Sequence, residues 1–273
     1  MPFPMTELGG NAVSRLTIGT NTFHGFSHFS HARSEWLKRH FTPERTYEVL
    51  ELCAKEGLNL TVAATRPDYK ELLDEVERNT GHHIYYIATP GGATLEDLKK
   101  DIDRCADIGA EYCWPHTSWT DSHLLTSENR IVDGPEILEY IRKRGMIPGW
   151  STHRPETVVV SDRNAYDCAG YIQIFNSIGF LCQVETDWMR NIIRNTPRPI
   201  VSIKPLAAGR VMPPTGFGFV YSNLKPIDTV AIGMMSVEEA KEDIAIARQC
   251  IEAAAQGPEA QLQYSRSKAD LVK

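Results

Sequence analysis

The sequence contains no hydrophobic run long enough to cross a membrane. Its longest apolar stretches, such as Val158–Val160 and Ile178–Cys182, fall far short of the roughly 20 residues that span a bilayer. The first ten residues contain neither a charged segment nor an apolar one, so we expect no secretory signal there. These features predict a protein without a membrane partner.

An excess of basic residues is also missing. The chain has 29 Lys+Arg against 35 Asp+Glu, a formal net charge of −6, and its positive residues are scattered among acidic ones. This pattern argues against a nucleic-acid partner. The six cysteines form no CxxC motif, and Cys53, Cys105 and Cys250 lie in apolar helical stripes. We therefore expect reduced, buried thiols and a cytoplasmic location.

What the chain does contain is a repeated alternation of short apolar runs and amphipathic stretches. Hydrophobic residues make up 42% of the sequence and charged residues 23%, which is typical of a globular protein. The apolar, β-branched runs have the length of buried parallel strands. The predicted strands are Leu16–Thr20, Leu58–Ala63, Ile84–Ala88, Ala110–Trp114, Ile147–Ser151, Tyr171–Phe175, Ile200–Lys204 and Asp228–Gly233.

Helical patterns lie between these strands, several with capping residues. Thr42 with Pro43 starts one helix and Gly57 ends it, and Thr94 and Ser236 begin two others. The further helical segments are 68–79, 134–144, 155–166, 184–196 and 217–224.

Eight strands, each followed by a helix, predict an α/β fold of the TIM (β/α)₈ barrel type, formed as one domain over residues 1–273. An open doubly wound sheet is the alternative, but no GxGxxG motif follows the first strand. The units average about 30 residues, which leaves little chain for a lid and favours a small substrate. The polar tail from about residue 257 is assigned no structure, and nothing in the sequence indicates a homo-oligomer.

In such barrels the chemistry lies at the carboxyl ends of the strands, so polar residues there are candidates. His116 follows strand four and is the main candidate for acid/base duty, with a structural histidine as the alternative. His24 and His153 follow strands one and five. Three imidazoles suit zinc or another divalent metal, so His24, His116 and His153 are a candidate metal site.

Lys204 ends strand seven and is either a base, a Schiff-base former or a structural hydrogen-bond donor. Arg66 and Arg154 are placed to bind a carboxylate or phosphate, unless they are solvated loop residues. Trp150 is either a wall for a sugar ring or rim packing. The other candidate substrate contacts are Asn21 and Asn176, which follow strands one and six.

Several of these segments are similar to a known family. The stretch Val13–Phe23 (VSRLTIGTNTF), the strand-six segment Gln173–Asn176, the KPLAAGR motif at Lys204–Arg210 and the strand-eight segment from Asp228 onward resemble the aldo-keto reductases over roughly residues 13–251. The resemblance implies an aldo-keto-reductase-like barrel.

The family's catalytic Asp, Tyr, Lys and His are mostly missing from the matching positions. Val62 stands where the resemblance implies Asp, and Thr89 and Pro90 where it implies Lys. Tyr69 lies near the expected Tyr without matching it clearly, whereas His116 falls at the position of the His. In the family the Tyr donates a proton to the carbonyl oxygen, so hydride transfer by that route should be impaired.

The sequence therefore favours non-redox acid/base chemistry of the isomerase or lyase type on a small polar carbonyl- or carbohydrate-like substrate, metal-assisted in one version. His116 would be the general acid/base, with Tyr69, His153 or Lys204 as its partner. The alternative is an NAD(P)H-dependent oxidoreductase, in which Gly209, Arg210 and Ser236 would contact the cofactor. A further alternative is a catalytically silent barrel that binds a ligand.

Overall fold

A computed structural model describes residues 2–256 of the chain. The predicted tail from about residue 257 lies outside the described residues. Thirteen strands occur within residues 2–256: β1 Met5–Leu8, β2 Asn11–Ser14, β3 Leu16–Gly19, β4 Leu60–Ala64, β5 Tyr85–Thr89, β6 Tyr112–Cys113, β7 Leu124–Leu125, β8 Arg130–Ile131, β9 Ile147–Pro148, β10 Trp150–Thr152, β11 Tyr171–Ile174, β12 Ile200–Ile203 and β13 Thr229–Gly233.

Nine of these strands form one parallel sheet, in the order β10-β11-β12-β13-β3-β4-β5-β6-β9. Its two ends, β9 and β10, are the two parts of a single barrel strand interrupted at Gly149. β9 pairs with β6 and β10 pairs with β11, so this divided strand completes the ring. The eight predicted strands and the (β/α)₈ barrel are confirmed.

The helices cover the outside of the barrel. They are α1 His31–His40, α2 Pro43–Lys55, α3 Pro67–Thr80, α4 Leu95–Asp107, α5 Thr117–Ser122, α6 Gly134–Lys143, α7 Glu156–Arg163, α8 Thr186–Asn195, α9 Pro213–Asn223 and α10 Val237–Gln256.

The helix starts predicted from the capping residues Thr42 and Thr94 are confirmed, whereas the helix predicted from residue 217 begins at Pro213. The Thr42 hydroxyl accepts a hydrogen bond from the Arg45 N–H, and Thr94 does the same for Asp97. Each cap satisfies a backbone donor that has no partner within the helix. None of the helices within residues 2–256 is long and apolar enough to cross a membrane. Cys53 and Cys105 are buried thiols, as predicted, whereas Cys250 is half-buried.

The antiparallel hairpin β1–β2, which closes the amino-terminal end of the barrel, was not among the predicted elements. Leu8 and Val13 pack against barrel-interior residues such as Trp114. The Tyr112 hydroxyl donates to the Leu8 carbonyl oxygen at 2.8 Å. A Gly-Gly turn between two short runs is a recognised hairpin signal, and Gly9 has a φ of 56°.

A second missed element lies between β3 and α2, where the chain forms the extra helix α1. Of its ten residues only Leu37 is buried, so the segment carries no apolar stripe that periodicity can detect. The expectation that little chain is available beside the barrel mouth is therefore wrong. Residues 20–42 form a side wall there, with consequences for the candidate site.

Candidate functional site

A cavity of about 770 Å³ lies at the carboxyl ends of the barrel strands. All eight barrel strands, or the loops that follow them, contribute to its wall, and α1 and α10 complete it. Within the described part of the chain, the polar and charged side chains that line it are Thr20, Asn21, Thr22, His24, Ser27, His28, Arg33, Thr89, His116, Thr117, Ser118, Ser151, His153, Lys204 and Glu239. Val62 and Thr89, where the family resemblance implies Asp and Lys, both face this cavity.

His116 lies at the start of α5, at the end of barrel strand four. Its Nδ1 accepts a hydrogen bond from the Ser118 N–H at 3.2 Å, so the ring caps the helix. A neutral imidazole that accepts at Nδ1 carries its proton on Nε2. Partial desolvation lowers the pKa of His116, which favours this neutral form at pH 7. His116 therefore offers an N–H donor to a ligand in the cavity.

Lys204 follows barrel strand seven and lines the same cavity as the histidines. Its Nζ is 3.5 Å from Nε2 of His28. Burial lowers the pKa of Lys204 to about 8, because no carboxylate among the described residues pairs with it to stabilise the ammonium. Burial, followed by the positive charge of Lys204, lowers the pKa of His153 to about 4. His116, His153, His28 and Lys204 thus form one electrostatically coupled group.

The structure does not bring the three predicted metal ligands together as a site. Among residues 2–256, no group of three or more His, Cys, Asp or Glu side chains is arranged to hold a metal ion. His24 lines the cavity but packs edge-on against Tyr69, with ring centroids 5.8 Å apart. Burial and then the nearby Arg66 lower the pKa of His24 to about 4, whereas His153 responds to Lys204. The two imidazoles belong to different sides of the barrel, because strands one and five face each other across it.

Three predicted site residues are buried in the protein interior and do not line the cavity. Tyr69 is 1% exposed, its hydroxyl is 2.7 Å from that of Thr61, and burial raises its pKa, so it is not placed to transfer protons in the cavity. Trp150 is fully buried within the hydrophobic core. Asn176 is fully buried, and its amide bonds the backbone N–H and carbonyl of Phe180, which fixes the loop after β11.

The two arginines predicted to bind a substrate carboxylate or phosphate bind other groups of the protein instead. Arg66 forms a bidentate pair with Asp68 at the surface. Arg154 donates to the carbonyl oxygens of Asp121 and Leu124. Neither arginine lines the cavity.

Of the three residues predicted to contact a cofactor, one lines the cavity and two do not. Gly209 lines the cavity, with a φ of 86°. Arg210 instead donates to the carbonyl oxygens of Ala207 and His28, and Ser236 caps α10 by accepting from the Glu239 N–H. Of the thirteen predicted residues, the structure brings six to the cavity: Asn21, His24, His116, His153, Lys204 and Gly209.

Three charged or titratable lining residues were not among the predicted site residues. His28 precedes α1, Arg33 lies on α1, and Glu239 lies in the first turn of α10. Arg33 contacts the Met235 sulfur at 3.4 Å and lies beside Glu239, whose Oε2 accepts from the Met235 N–H at 2.5 Å. Histidines at 24, 28 and 31 after strand one were a visible signal, but only the folding of residues 20–42 over the mouth brings His28 to Lys204.

Comparison with known proteins shows the fold. No family model and no curated protein matches the sequence. Two structures from Pseudomonas aeruginosa, each provisionally described as an aldo-keto reductase, align with TM-scores of 0.66 and 0.67. Both are 17% identical, over 92% of this chain and 97% of theirs. The BexX/CysO complex of Amycolatopsis orientalis aligns with a TM-score of 0.58 at 15% identity, covering 94% of this chain and 96% of that one. At these identities the likeness shows the barrel fold and no activity.

Proposed function

We propose that this protein is a barrel enzyme that moves protons on a small polar carbonyl- or carbohydrate-like substrate, without a redox step. The observation that carries the proposal is the convergence of His116, His153 and Lys204 in one cavity at the carboxyl ends of the barrel strands. Side chains from several strand ends commonly form the active sites of such barrels.

The three side chains have complementary states at pH 7. His116 is neutral with an N–H on Nε2, which suits donation to a substrate carbonyl oxygen. Lys204 is mostly protonated and would stabilise negative charge that develops on that oxygen. His153 is neutral and free to accept a proton from the carbon beside the carbonyl. Return of the proton to a neighbouring carbon gives isomerisation, and loss of a leaving group from the next carbon gives a lyase reaction.

Exchange of carbon-bound hydrogen in D₂O tests this directly. A panel of hydroxyaldehydes, ketoses and 2-oxo acids is incubated with the protein, and ¹H NMR follows loss of the signal beside the carbonyl. We expect the wild type to catalyse exchange of at least one compound, and His116→Ala and His153→Ala to slow it by roughly 10²–10⁴-fold, the usual contribution of a positioned acid or base. His82→Ala is the matched control, since His82 is exposed and lies away from this cavity.

One observation favours a second candidate, NAD(P)H-dependent carbonyl reduction. The same cavity extends to Gly209, in the loop after barrel strand seven, and to the loop after strand eight. Barrel enzymes frequently bind phosphate groups between these two loops. Quenching of NADPH or NADH fluorescence with a micromolar Kd, together with oxidation of the coenzyme by a carbonyl compound, would select this candidate over proton transfer. Ligand binding without exchange or oxidation would select a silent binding barrel.

A further inference from the structure

Lys204 and His28 make a contact that the proton-transfer proposal does not use. Nζ of Lys204 and Nε2 of His28 are 3.5 Å apart in the cavity wall. Lys204 has no carboxylate partner among the described residues, and it follows the apolar strand β12. Lys204 is half-buried and His28 is exposed, so a small substrate that enters the cavity can reach this contact.

Both residues of this contact have strained backbones. The φ of Lys204 is 62° and that of His28 is 52°, in the left-handed region that non-glycine residues rarely adopt. Such conformations cost of order 1–3 kcal/mol each and concentrate at functional sites. Arg210 ties the loop that carries Lys204 to the loop that carries His28, because its Nη1 donates to the His28 carbonyl oxygen. The Arg210 guanidinium also stacks on Phe180, with Cζ 4.4 Å from the ring centroid. The fold thus holds an unpaired amine against an imidazole at an energetic cost.

We propose that Lys204 is a covalent catalyst that forms an iminium with an aldehyde or ketone substrate, and that His28 carries the protons of that step. This inference rests on the proposed function and replaces one role in it: Lys204 activates the substrate by bonding to its carbonyl carbon instead of stabilising negative charge on its oxygen. The neutral amine attacks the carbonyl carbon, a C–N bond forms, and the π electron pair of C=O moves to oxygen, which takes up a proton from solvent. The nitrogen loses its proton to His28, which returns it to the hydroxyl, and water leaves as C=N forms. Addition of water reverses the sequence, so no oxidant or reductant is needed.

The ionisation states support this chemistry. With a pKa of about 8, roughly a tenth of Lys204 is the neutral nucleophile at pH 7, against less than a thousandth of an ordinary lysine. Burial and the charge of Lys204 lower the pKa of His28, so its imidazole is available as a proton acceptor. An iminium withdraws electrons from the adjacent carbon more strongly than a carbonyl does, which makes the proton there easier for the weakly basic His153 to remove.

Borohydride trapping tests the iminium. The protein is incubated at pH 7 with glycolaldehyde, dihydroxyacetone or pyruvate, reduced with sodium borohydride, digested and analysed by tandem mass spectrometry. We expect the secondary amine at Lys204 to form at least tenfold more than at the exposed Lys143 of α6. Lys204→Arg, which keeps the charge, should abolish this label, and Lys143→Arg should leave it unchanged. His28→Gln should slow label formation about tenfold or more at unchanged thermal stability.

The outcomes separate the two proposals. Label at Lys204 no greater than at Lys143 with all three probes, while deuterium exchange of the same probes persists, overturns the iminium and keeps proton transfer. Label at Lys204 with exchange unaffected by His116→Ala and His153→Ala supports the iminium and overturns the assigned proton carriers. If Lys204→Arg fails to fold, trapping in the wild type and in His28→Gln still decides the question, since both retain the lysine.

Discussion

Replacing Gly149 by alanine should destabilise the barrel where its ring is completed. Gly149 separates β9 from β10, and a Cβ built there would lie 2.4 Å from Cε2 of Trp114 and 2.6 Å from its Cδ2 and Nε1. Carbon atoms in good contact are about 3.5–4.0 Å apart, so the ring or the strand would have to move by more than 1 Å. Trp114 is fully buried, and its Nε1 donates to the Ile147 carbonyl oxygen at 3.2 Å.

The expected magnitude follows from those contacts. Overpacking a core costs about 1–3 kcal/mol. Displacing the indole also weakens a buried hydrogen bond, for about 1 kcal/mol more. Gly149→Ala should therefore lower the free energy of unfolding by about 2–4 kcal/mol, and the Tm by roughly 4–8 °C for a chain of this length.

Urea unfolding followed by tryptophan fluorescence and far-UV circular dichroism measures the effect. The midpoint should fall while the dependence on urea concentration stays constant. In a Trp114→Phe background the smaller ring relieves the clash. There Gly149→Ala should lower the free energy of unfolding by at least about 1 kcal/mol less than it does in the wild type. A Gly149→Ala protein within about 0.5 kcal/mol of the wild type would show that Trp114 moves freely and that the packing argument is wrong.

Three further perturbations test other parts of the structure. Asp243 is 1% exposed with both carboxylate oxygens unpartnered, and burial raises its pKa to about 7. Because the native state binds this proton more tightly than the unfolded state does, the free energy of unfolding should fall as the pH rises from about 4 to 7. Asp243→Asn should therefore be more stable than the wild type by about 2–4 kcal/mol in urea unfolding at pH 8 but not at pH 4. An equal effect at both pH values would contradict this. His83 lies between Glu77 and Glu111 at 2.8 and 2.9 Å, and hydrogen bonding to Glu111 raises its pKa to about 9. The charge on His83 should stabilise the native state fully below about pH 6.5, and this effect should be lost as the pH rises through about 9. Because solvent screens this half-exposed group, His83→Gln should lower the free energy of unfolding by about 1 kcal/mol at pH 6 and by little at pH 10. Loss of stability that does not change with pH would refute the charge argument. Gly218 lies within α9, and a methyl group added to its Cα would meet no atom within 4 Å apart from the backbone of its own helix. Gly218→Ala should therefore raise the unfolding free energy by about 0.5–1 kcal/mol, and a decrease would show an unrecognised contact.

Part of the site could be read from the sequence, because position at a strand end is a local property. His116, His153 and Lys204 were placed at the mouth by counting strands, and all three line the cavity. Trp150 lies on β10, the strand that His153 directly follows, but its side chain is fully buried. Strand-end location fixes the height of a residue along the barrel, whereas its direction depends on the alternation of side chains and on the turn that follows.

Tyr69 and His28 show the limits of that reasoning from both sides. Tyr69 follows the end of β4 closely in sequence, yet the first turn of α3 directs its hydroxyl to Thr61 in the interior. His28 belongs to a segment without an apolar pattern, and its contact with Lys204 joins residues 176 positions apart. No local periodicity encodes such a contact.

The sequence by itself determined the barrel: apolar runs, capping residues and glycines are short-range signals that repeat eight times, and closure of the ring follows from their number. Only the tertiary structure decided which polar side chains share the cavity. Burial and the approach of the loops at residues 20–42 and 204–210 bring Lys204 together with its histidines. The electrostatic environment that lowers the pKa values of Lys204 and His153 exists only after chain segments far apart in sequence surround the same cavity and partly desolvate both side chains.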